Sequence, residues 1–242
     1  MTSPPTAPPS NRQALYRKYV DAMTQRCGTD PGVRVALRKG LRRGLNDVAP
    51  LHRIVAAWLP EQRSDDEERA FYAVAAMIAD RPRHTFNASN DGALPTDEET
   101  SSTSTADELD TARNQEPAAV QNQPPLARGR RDSLGASFAR AVTSHAGQSA
   151  VREDTAEARL NLLTRQSMDG LHRHLPGSVR LLRGSDTDID YAVLLADLVA
   201  WPQHSKAISR RWLQDFYRVK NAAREAAARH RDSEEEQTDT AN

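Results

Sequence analysis

The clearest chemical signal in this 242-residue sequence is a run of basic side chains in one predicted helix. The helix is predicted over residues 33–45, and its cations are Arg34, Arg38, Lys39, Arg42 and Arg43. No acid lies between Gly32 and Asn46, and each pair of like charges four residues apart costs an isolated helix roughly 0.2–0.5 kcal/mol. Such a helix is about 20 Å long and matches roughly six phosphates of one strand. The pattern predicts a surface for nucleic-acid backbone. The alternative is a solvated face that acids elsewhere in the fold neutralise.

Two further groups of basic residues would extend such a surface. One leads into a predicted helix and consists of Arg128, Arg130, Arg131 and Arg140. The alternative for its RGRRDS segment is a linker end that a protease or kinase can reach. The other group is dispersed over the C-terminal helices: Arg159, Arg165, Arg173, Arg180, Arg183, Lys206, Arg210 and Arg211. Each is an ordinary helix-surface residue by itself, and Arg211 has Asp215 at i, i+4 as a partner. Only convergence on one groove makes them a site.

Motifs for catalysis and for metal binding are missing from the sequence. It contains no glycine-rich phosphate loop, HExxH, CxxC or GxSxG. Residues 186–190 resemble the start of a calcium loop, but Tyr191 replaces the required glycine, so helix capping by Asp190 is the better interpretation. His172 and His174 are two residues apart and point away from each other on a helix. The sequence therefore predicts a protein that is not an enzyme and needs no metal or cofactor.

Aromatic residues argue against recognition by base stacking. Trp58, Trp201 and Trp212 lie on or beside apolar stripes, which predicts that they belong to the core. Binding should then be directed at the backbone and depend only weakly on base sequence.

The formal net charge is zero, but the charges are segregated along the chain. Residues 87–122 hold eight acids and one base, and residues 232–242 hold five acids and no base. The remainder has 32 bases against 20 acids and is strongly basic. A single cysteine, Cys27, excludes an internal disulfide. Without a long apolar run or the pattern of a signal peptide, the sequence predicts no membrane span and a cytoplasmic location.

Hydrophobic periodicity predicts an all-α fold of about nine helices in two small bundles. The N-terminal bundle is predicted over 12–84 and the C-terminal bundle over 132–230. A disordered leader is predicted over 1–11, a disordered acidic linker over 85–131 and a disordered acidic tail over 231–242. Predicted N-caps include Ser133, Thr155 and Asp190. A broken helix pair is predicted around Pro176, and a turn at Trp201-Pro202.

The order of these segments resembles the small subunit of the type I-E CRISPR Cascade complex, the CasB family. The resemblance covers residues 33–84 and 133–217. It is carried by Ala36-Leu37-Arg38-Lys39-Gly40, Leu51-His52-Arg53-Ile54-Val55, Ala70-Phe71-Tyr72-Ala73-Val74-Ala75, Ser133-Leu134-Gly135, Glu157-Ala158-Arg159-Leu160, Val179-Arg180-Leu181-Leu182, Ile189-Asp190-Tyr191, Leu195-Ala196-Asp197-Leu198, Trp201 and Trp212-Leu213-Gln214-Asp215-Phe216-Tyr217.

The resemblance implies two helical bundles and two copies of the chain in Cascade. The expected partners are the backbone and large subunits, guide RNA and target DNA. The implied role is to stabilise the R-loop by holding the target or the displaced strand, without nuclease activity. Residues at positions where the family places cations for nucleic acid are Arg38, Lys39, Arg159, Arg165, Arg180 and Lys206.

The residue patterns thus predict a non-catalytic protein that binds nucleic-acid backbone through basic helix faces, and the resemblance implies that it is a subunit of a CRISPR RNA-guided antiviral surveillance complex. Two alternatives stay open. One is a protein–protein assembly adaptor whose arginines meet acidic protein surfaces, and the other is a helical DNA-binding regulator. The regulator requires a recognition helix carrying Asn, Gln and Arg, and none is evident.

Overall fold

The computed structural model of the protein describes residues 9–41, 43, 49–81, 132–143 and 150–239. Over these ranges the backbone forms helices and no strand, so the predicted all-α class is confirmed. The elements are α1 (Pro9–Thr29), α2 (Pro31–Arg38), α3 (Ala49–Val55), a 3-10 helix (Ala56–Trp58), α4 (Asp65–Ala79), α5 (Leu134–Thr143), α6 (Glu153–Thr164), α7 (Met168–Gly184) and α8 (Tyr191–Asp239). The predicted linker, most of the predicted leader and Arg131 lie outside the described residues.

Helix α1 buries a stripe of large side chains against α4. Tyr16, Tyr19, Met23 and Cys27 recur at helical spacing and are buried. The hydroxyl of Tyr19 donates a hydrogen bond of 2.8 Å to the carbonyl of Phe71 in α4, so the buried phenol is satisfied. The helix begins at Pro9, three residues before the predicted start.

Helix α2 is shorter than predicted, and the prediction of one helix over 33–45 is wrong. Asp30 caps its start, because Oδ1 accepts hydrogen bonds from the backbone nitrogens of Gly32 (2.7 Å) and Val33 (3.0 Å). The helix ends at Arg38, and a turn follows in which Gly40 lies against Leu51. A Cβ at Gly40 would be 2.5 Å from Leu51 Cδ2, so tertiary packing turns the chain here. Helix α2 therefore carries only part of the basic run.

Helix α4 follows the sequence prediction closely. Ser64 caps it by accepting a hydrogen bond of 3.2 Å from the nitrogen of Glu67, and four acids occupy its first turn, where the helix dipole favours negative charge. Its apolar stripe is fully buried. The helix ends at Ala79, and Asp80 follows as the C-cap residue.

The structure confirms the predicted cap of α5 but contradicts the predicted cap of α6 and the predicted break in α7. Ser133 caps α5 as predicted, accepting a hydrogen bond of 3.3 Å from the nitrogen of Ala136. The predicted cap at Thr155 is wrong, because α6 starts at Glu153 after an extended Arg152. The predicted break at Pro176 is also wrong, because α7 runs through it. Its stripe of Leu and Val side chains is buried along the whole helix, and this packing outweighs the backbone hydrogen bond that proline removes.

Helix α8 consists of two arms that meet near His204. Asp190 caps the first arm as predicted, with Oδ1 accepting 3.0 Å hydrogen bonds from the nitrogens of Ala192 and Val193. The turn predicted at Trp201-Pro202 is misplaced, because both residues are helical and the backbone leaves the helical region only at His204. The second arm runs to Asp239, into the segment predicted as an acidic tail, since the Ala-rich residues before it favour continued helix.

Buried side chains from helices α1–α4 and from helices α5–α8 form one cluster. Helices α1 and α4 pack against α8, and α4 also contacts α7. The surface where α2 and α4 meet α7 and the start of α8, here called the seam, is therefore a defined place in the fold. The boundaries of the two predicted bundles remain a prediction.

Candidate nucleic-acid interface

The seam contains one carboxylate that faces three guanidinium groups. Asp80 accepts hydrogen bonds from Arg180 through Nε (2.6 Å to Oδ2) and Nη2 (3.2 Å to Oδ1). Nη2 of Arg183 lies 3.5 Å from Oδ2, and Nε of Arg38 lies 3.6 Å from Oδ1. The hydrogen bond to Asp80 and the charge of its carboxylate raise the pKa of Arg180. The structure thus brings together Arg38 and Arg180, which are far apart in sequence.

Two more arginines complete the seam beside this carboxylate. Arg34 donates to the carbonyl oxygens of Ala79 (3.3 Å) and Arg81 (2.7 Å), so it satisfies the C-terminal end of α4. The guanidinium of Arg81 lies 5.0 Å from the ring centroid of Tyr191. Nη2 of Arg81 is also 3.9 Å from a carboxylate oxygen of Asp188.

Arg140 borders the same seam from α5. Its Nη2 is 3.4 Å from the carbonyl oxygen of Asp188, and its Nη1 is 2.9 Å from Oδ2 of Asp132. Among the described residues around Asp80 and Asp188, five guanidinium groups face two carboxylates, a surplus of three positive charges. They belong to Arg34, Arg38, Arg81, Arg180 and Arg183.

A second basic group lies where α6 ends against the second arm of α8. Ser209 donates a hydrogen bond of 3.1 Å to the carbonyl of Thr164, which places the following residues, Arg165 and Arg210, at one junction. Lys206 lies one turn before Arg210 on the same helix. All three side chains are exposed and form no ion pair within the described part of the chain.

The other cations predicted for the nucleic-acid surface are exposed or lie outside the described residues. Lys39 and Arg43 are exposed in the segment after α2, and Arg159 is exposed on α6. No hydrogen bond or ion pair between described residues joins Arg159 or the second basic group to the seam. Arg42 and Arg131 lie outside the described residues.

Several basic side chains of α8 form ion pairs with carboxylates of the same chain. Arg211 pairs with Asp197, so the predicted partner Asp215 is wrong; Asp215 instead pairs with Arg218. Nζ of Lys220 lies 2.8 Å from Glu153 Oε1. The hydrogen bond from Lys220 is the main reason that the pKa of Glu153 is lowered. Lys220 is buried, at 7% exposed, and is therefore closed to an external anion. Arg211 and Arg218 are about as exposed as Arg38 and Arg180, but each has a carboxylate of its own, whereas three arginines share Asp80.

The sequence prediction includes neither Asp80 nor Arg81 in the candidate site. A signal for Asp80 exists, because a carboxylate directly after the last turn of a helix opposes the helix dipole. It is therefore a place where cations from elsewhere are expected. Which cations those are depends on tertiary contacts between α4 and α7.

None of the described helices combines the length and apolar character that a membrane span requires. Among the same residues, no three His, Cys, Asp or Glu side chains lie together as a metal site. The aromatic prediction agrees with the packing of Trp201 and Trp212, which are buried with ring centroids 5.1 Å apart, whereas Trp58 is partly buried.

Over the described residues, the fold and the seam define an all-helical protein with a concentration of arginine where α2 and α4 meet α7 and the start of α8. The family model described as CRISPR-associated protein Cse2 matches residues 33–217. The chain therefore belongs to the Cse2 family, in agreement with the resemblance seen in the sequence.

Solved structures are similar to the chain over most of its length. A chain of "CRISPR RNA-guided surveillance complex, pre-nicking" is 28% identical with a TM-score of 0.67, covering 89% of this chain and 98% of that one. A chain of "CRISPR RNA-guided surveillance complex" has the same identity and TM-score and is covered to 99%. M. ruber CasB is 21% identical with a TM-score of 0.55, with coverage of 90% and 97%, and shows the fold alone. No curated protein sequence matches.

Proposed function

We propose that this protein is a non-catalytic subunit of a CRISPR RNA-guided surveillance complex, in which it binds nucleic-acid backbone without sequence specificity. Membership of the Cse2 family and similarity to chains of such complexes support the first part. The observation that carries the second part is the seam, where Arg38 and Arg180 converge on Asp80 with a surplus of positive charge.

The proposed mechanism is electrostatic stabilisation of an R-loop. In RNA-guided complexes the guide reads sequence by base pairing, and protein cations hold the opened strands. Arginine suits this task, because its planar guanidinium donates two parallel hydrogen bonds to a phosphate. Burial of Trp201 and Trp212 removes two large aromatic surfaces from base stacking, which favours contact with phosphates.

The proposed partners are the other subunits of the complex, the guide RNA, the target DNA and a second copy of this chain, in the cytoplasm. Co-expression with the products of neighbouring genes tests this directly. We expect the chain to co-purify with RNA-bound subunits, and two copies per complex by native mass spectrometry. Recovery of the chain alone would contradict the proposed assembly.

The salt dependence of binding tests the nucleic-acid contact. The full chain is titrated with single-stranded DNA of mixed sequence at several salt concentrations. Replacing Arg38 and Lys39 by alanine removes two exposed cations, and we expect the log–log slope to become shallower by about 1.4, since each neutralised phosphate contributes about 0.7 on single strands. The loss should be equal for all sequences.

A matched control has the same change of charge away from the seam. Arg63 and Arg218 each pair with a neighbouring carboxylate, at 2.7 Å from Glu68 for Arg63 and with Asp215 for Arg218. Arg63→Ala with Arg218→Ala should leave the slope nearly unchanged. If the log–log slope of wild-type binding against salt is near zero, the protein–protein assembly adaptor is favoured. A footprint that depends on base sequence would favour the helical DNA-binding regulator.

A further inference from the structure

We infer that Asp80 is a positioning residue that holds the guanidinium groups of Arg38 and Arg180 in the orientation in which they receive a backbone phosphate. The inference rests on the proposed function, because positioning is useful only if these arginines bind nucleic acid. It adds an acidic residue to a site that sequence analysis described only by its cations.

Asp80 is the common acceptor for cations from two separate elements. Arg180 and Arg183 come from α7, and Arg38 comes from the end of α2. Arg180 takes both carboxylate oxygens, at 2.6 and 3.2 Å, while Arg38 and Arg183 lie at 3.6 and 3.5 Å. One negative charge thus offsets only one of three positive charges.

Burial separates the carboxylate from the cations that face solvent. The side chain of Asp80 is 6% exposed and that of Arg183 is 14% exposed. Arg38 and Arg180 are 53% and 54% exposed. A phosphate arriving from solvent therefore meets Arg38 and Arg180 first, and their buried sides are already held by Asp80. Side chains ordered in advance lose less conformational entropy on binding.

The backbone of Asp80 is itself anchored at the end of α4. Its nitrogen donates a hydrogen bond of 3.1 Å to the carbonyl of Ala76, and Arg34 holds the neighbouring carbonyls of Ala79 and Arg81. The carboxylate is thus fixed to a rigid element, and the flexible arginine side chains adjust to it. Such support of a binding group by a second residue is typical of preorganised sites.

Positioning and net charge predict opposite effects for the loss of this carboxylate. Asp80→Asn raises the net charge of the protein by one, which by long-range attraction alone would strengthen binding to a polyanion. If Asp80 positions the arginines, three guanidinium groups are left to repel one another and spread apart, and binding weakens. The sign of the change therefore separates the two explanations.

The experiment titrates the full chain with single-stranded DNA of mixed sequence, with thermal unfolding recorded for every variant. We expect Asp80→Asn to bind about tenfold more weakly than wild type, because preorganisation is lost. The control is Asp169→Asn, which removes the same charge from a residue that is 77% exposed and pairs with one arginine, Arg69, also between α4 and α7. Its affinity should stay equal or rise slightly.

A charge-neutral variant keeps the test valid if repulsion in Asp80→Asn prevents folding. Asp80→Asn combined with Arg183→Gln has the net charge of wild type, and the replaced arginine is mostly buried. We expect this variant to fold and to lose affinity to the same extent. In a background with Arg38→Ala and Arg180→Ala, Asp80→Asn should cause no further loss, because the residues it positions are absent.

The possible failures are distinguishable. Absent or salt-independent binding by wild type overturns the proposed function and the inference together. Wild-type binding with equal or tighter binding by folded Asp80→Asn, or by the charge-neutral variant, overturns the inference alone. An equal loss in the background that lacks both arginines also overturns it, since Asp80 would then act elsewhere.

Discussion

Nε1 of Trp212 donates a hydrogen bond of 2.7 Å to Oδ2 of Asp197, fifteen residues earlier in the same helix α8. In a straight helix the two residues would be about 22 Å apart, so the bond forms only because α8 folds back on itself near His204. Burial raises the pKa of Asp197, while the bonds from Arg211 and Trp212 oppose this rise. Asp197 therefore joins the two arms of α8.

The first prediction concerns the ion pair that satisfies this buried carboxylate. Arg211→Ala leaves Asp197 without its cation, and we expect the free energy of unfolding to fall by about 1–2 kcal/mol, less than for a fully buried pair because Arg211 is half exposed. Chemical denaturation measures the change. In an Asp197→Asn background, Arg211→Ala should lower the free energy of unfolding far less. An equal decrease in both backgrounds would show that Arg211 and Asp197 do not stabilise each other.

The second prediction concerns the crossing of α5 and α8 at Gly135. A Cβ built there would lie 1.8 Å from the carbonyl oxygen of Trp212, so Gly135→Ala must push the helices apart. We expect a loss of about 1–3 kcal/mol or more, as for other overpacked cores. Gly184→Ala is the control, because no atom lies within 4 Å of its Cβ position. Similar unfolding temperatures for the two variants would contradict this packing.

The third prediction is a pH dependence of stability caused by His172. Burial, reinforced by Arg69 on α4 and partly opposed by Asp169, lowers the pKa of His172 to about 4. The unfolded chain, with a pKa near 6.5, binds the proton more readily. The stabilisation is therefore complete above about pH 6.5 and is lost as the pH falls towards 4, by about 3 kcal/mol at most.

Urea denaturation between pH 4 and pH 7 measures this effect. His172→Gln should remove the His172 part of the slope, while the contributions of the carboxylates with lowered pKa, Asp169 and Glu153, remain at lower pH. Identical slopes for wild type and variant would mean that His172 is not the titrating group.

The fourth prediction concerns the second basic group. Lys206→Ala with Arg210→Ala removes two exposed cations at the junction of α6 and α8, and we expect a shallower salt slope by about 1.4 on single strands. Because no hydrogen bond or ion pair among the described residues joins this group to the seam, its effect on the free energy of binding should add to that of Arg38→Ala with Lys39→Ala. An unchanged slope would restrict the binding surface to the seam.

Sequence reasoning succeeded where the signal is local. The all-helical class, the caps at Ser133 and Asp190, and the burial of Trp201 and Trp212 follow from periodicity and from short-range hydrogen bonding. It failed at the end of α2, where the basic run continues beyond the helix. Local charge and propensity hold no information about Leu51, whose contact with Gly40 accompanies the turn.

The sequence alone determines the helical class, because helix-forming patterns and caps depend on residues a few positions apart. The segregation of charge follows from composition along the chain, and the family resemblance follows from the order of the segments. Only the tertiary structure decides which cations lie together on one surface and which form an ion pair with a carboxylate of their own. Arg38 meets Arg180 across a separation of more than one hundred residues because Asp80 stands between them, and Arg211 is neutralised because α8 folds back. Electrostatic pairing acts through space, so these choices appear only once the helices have packed.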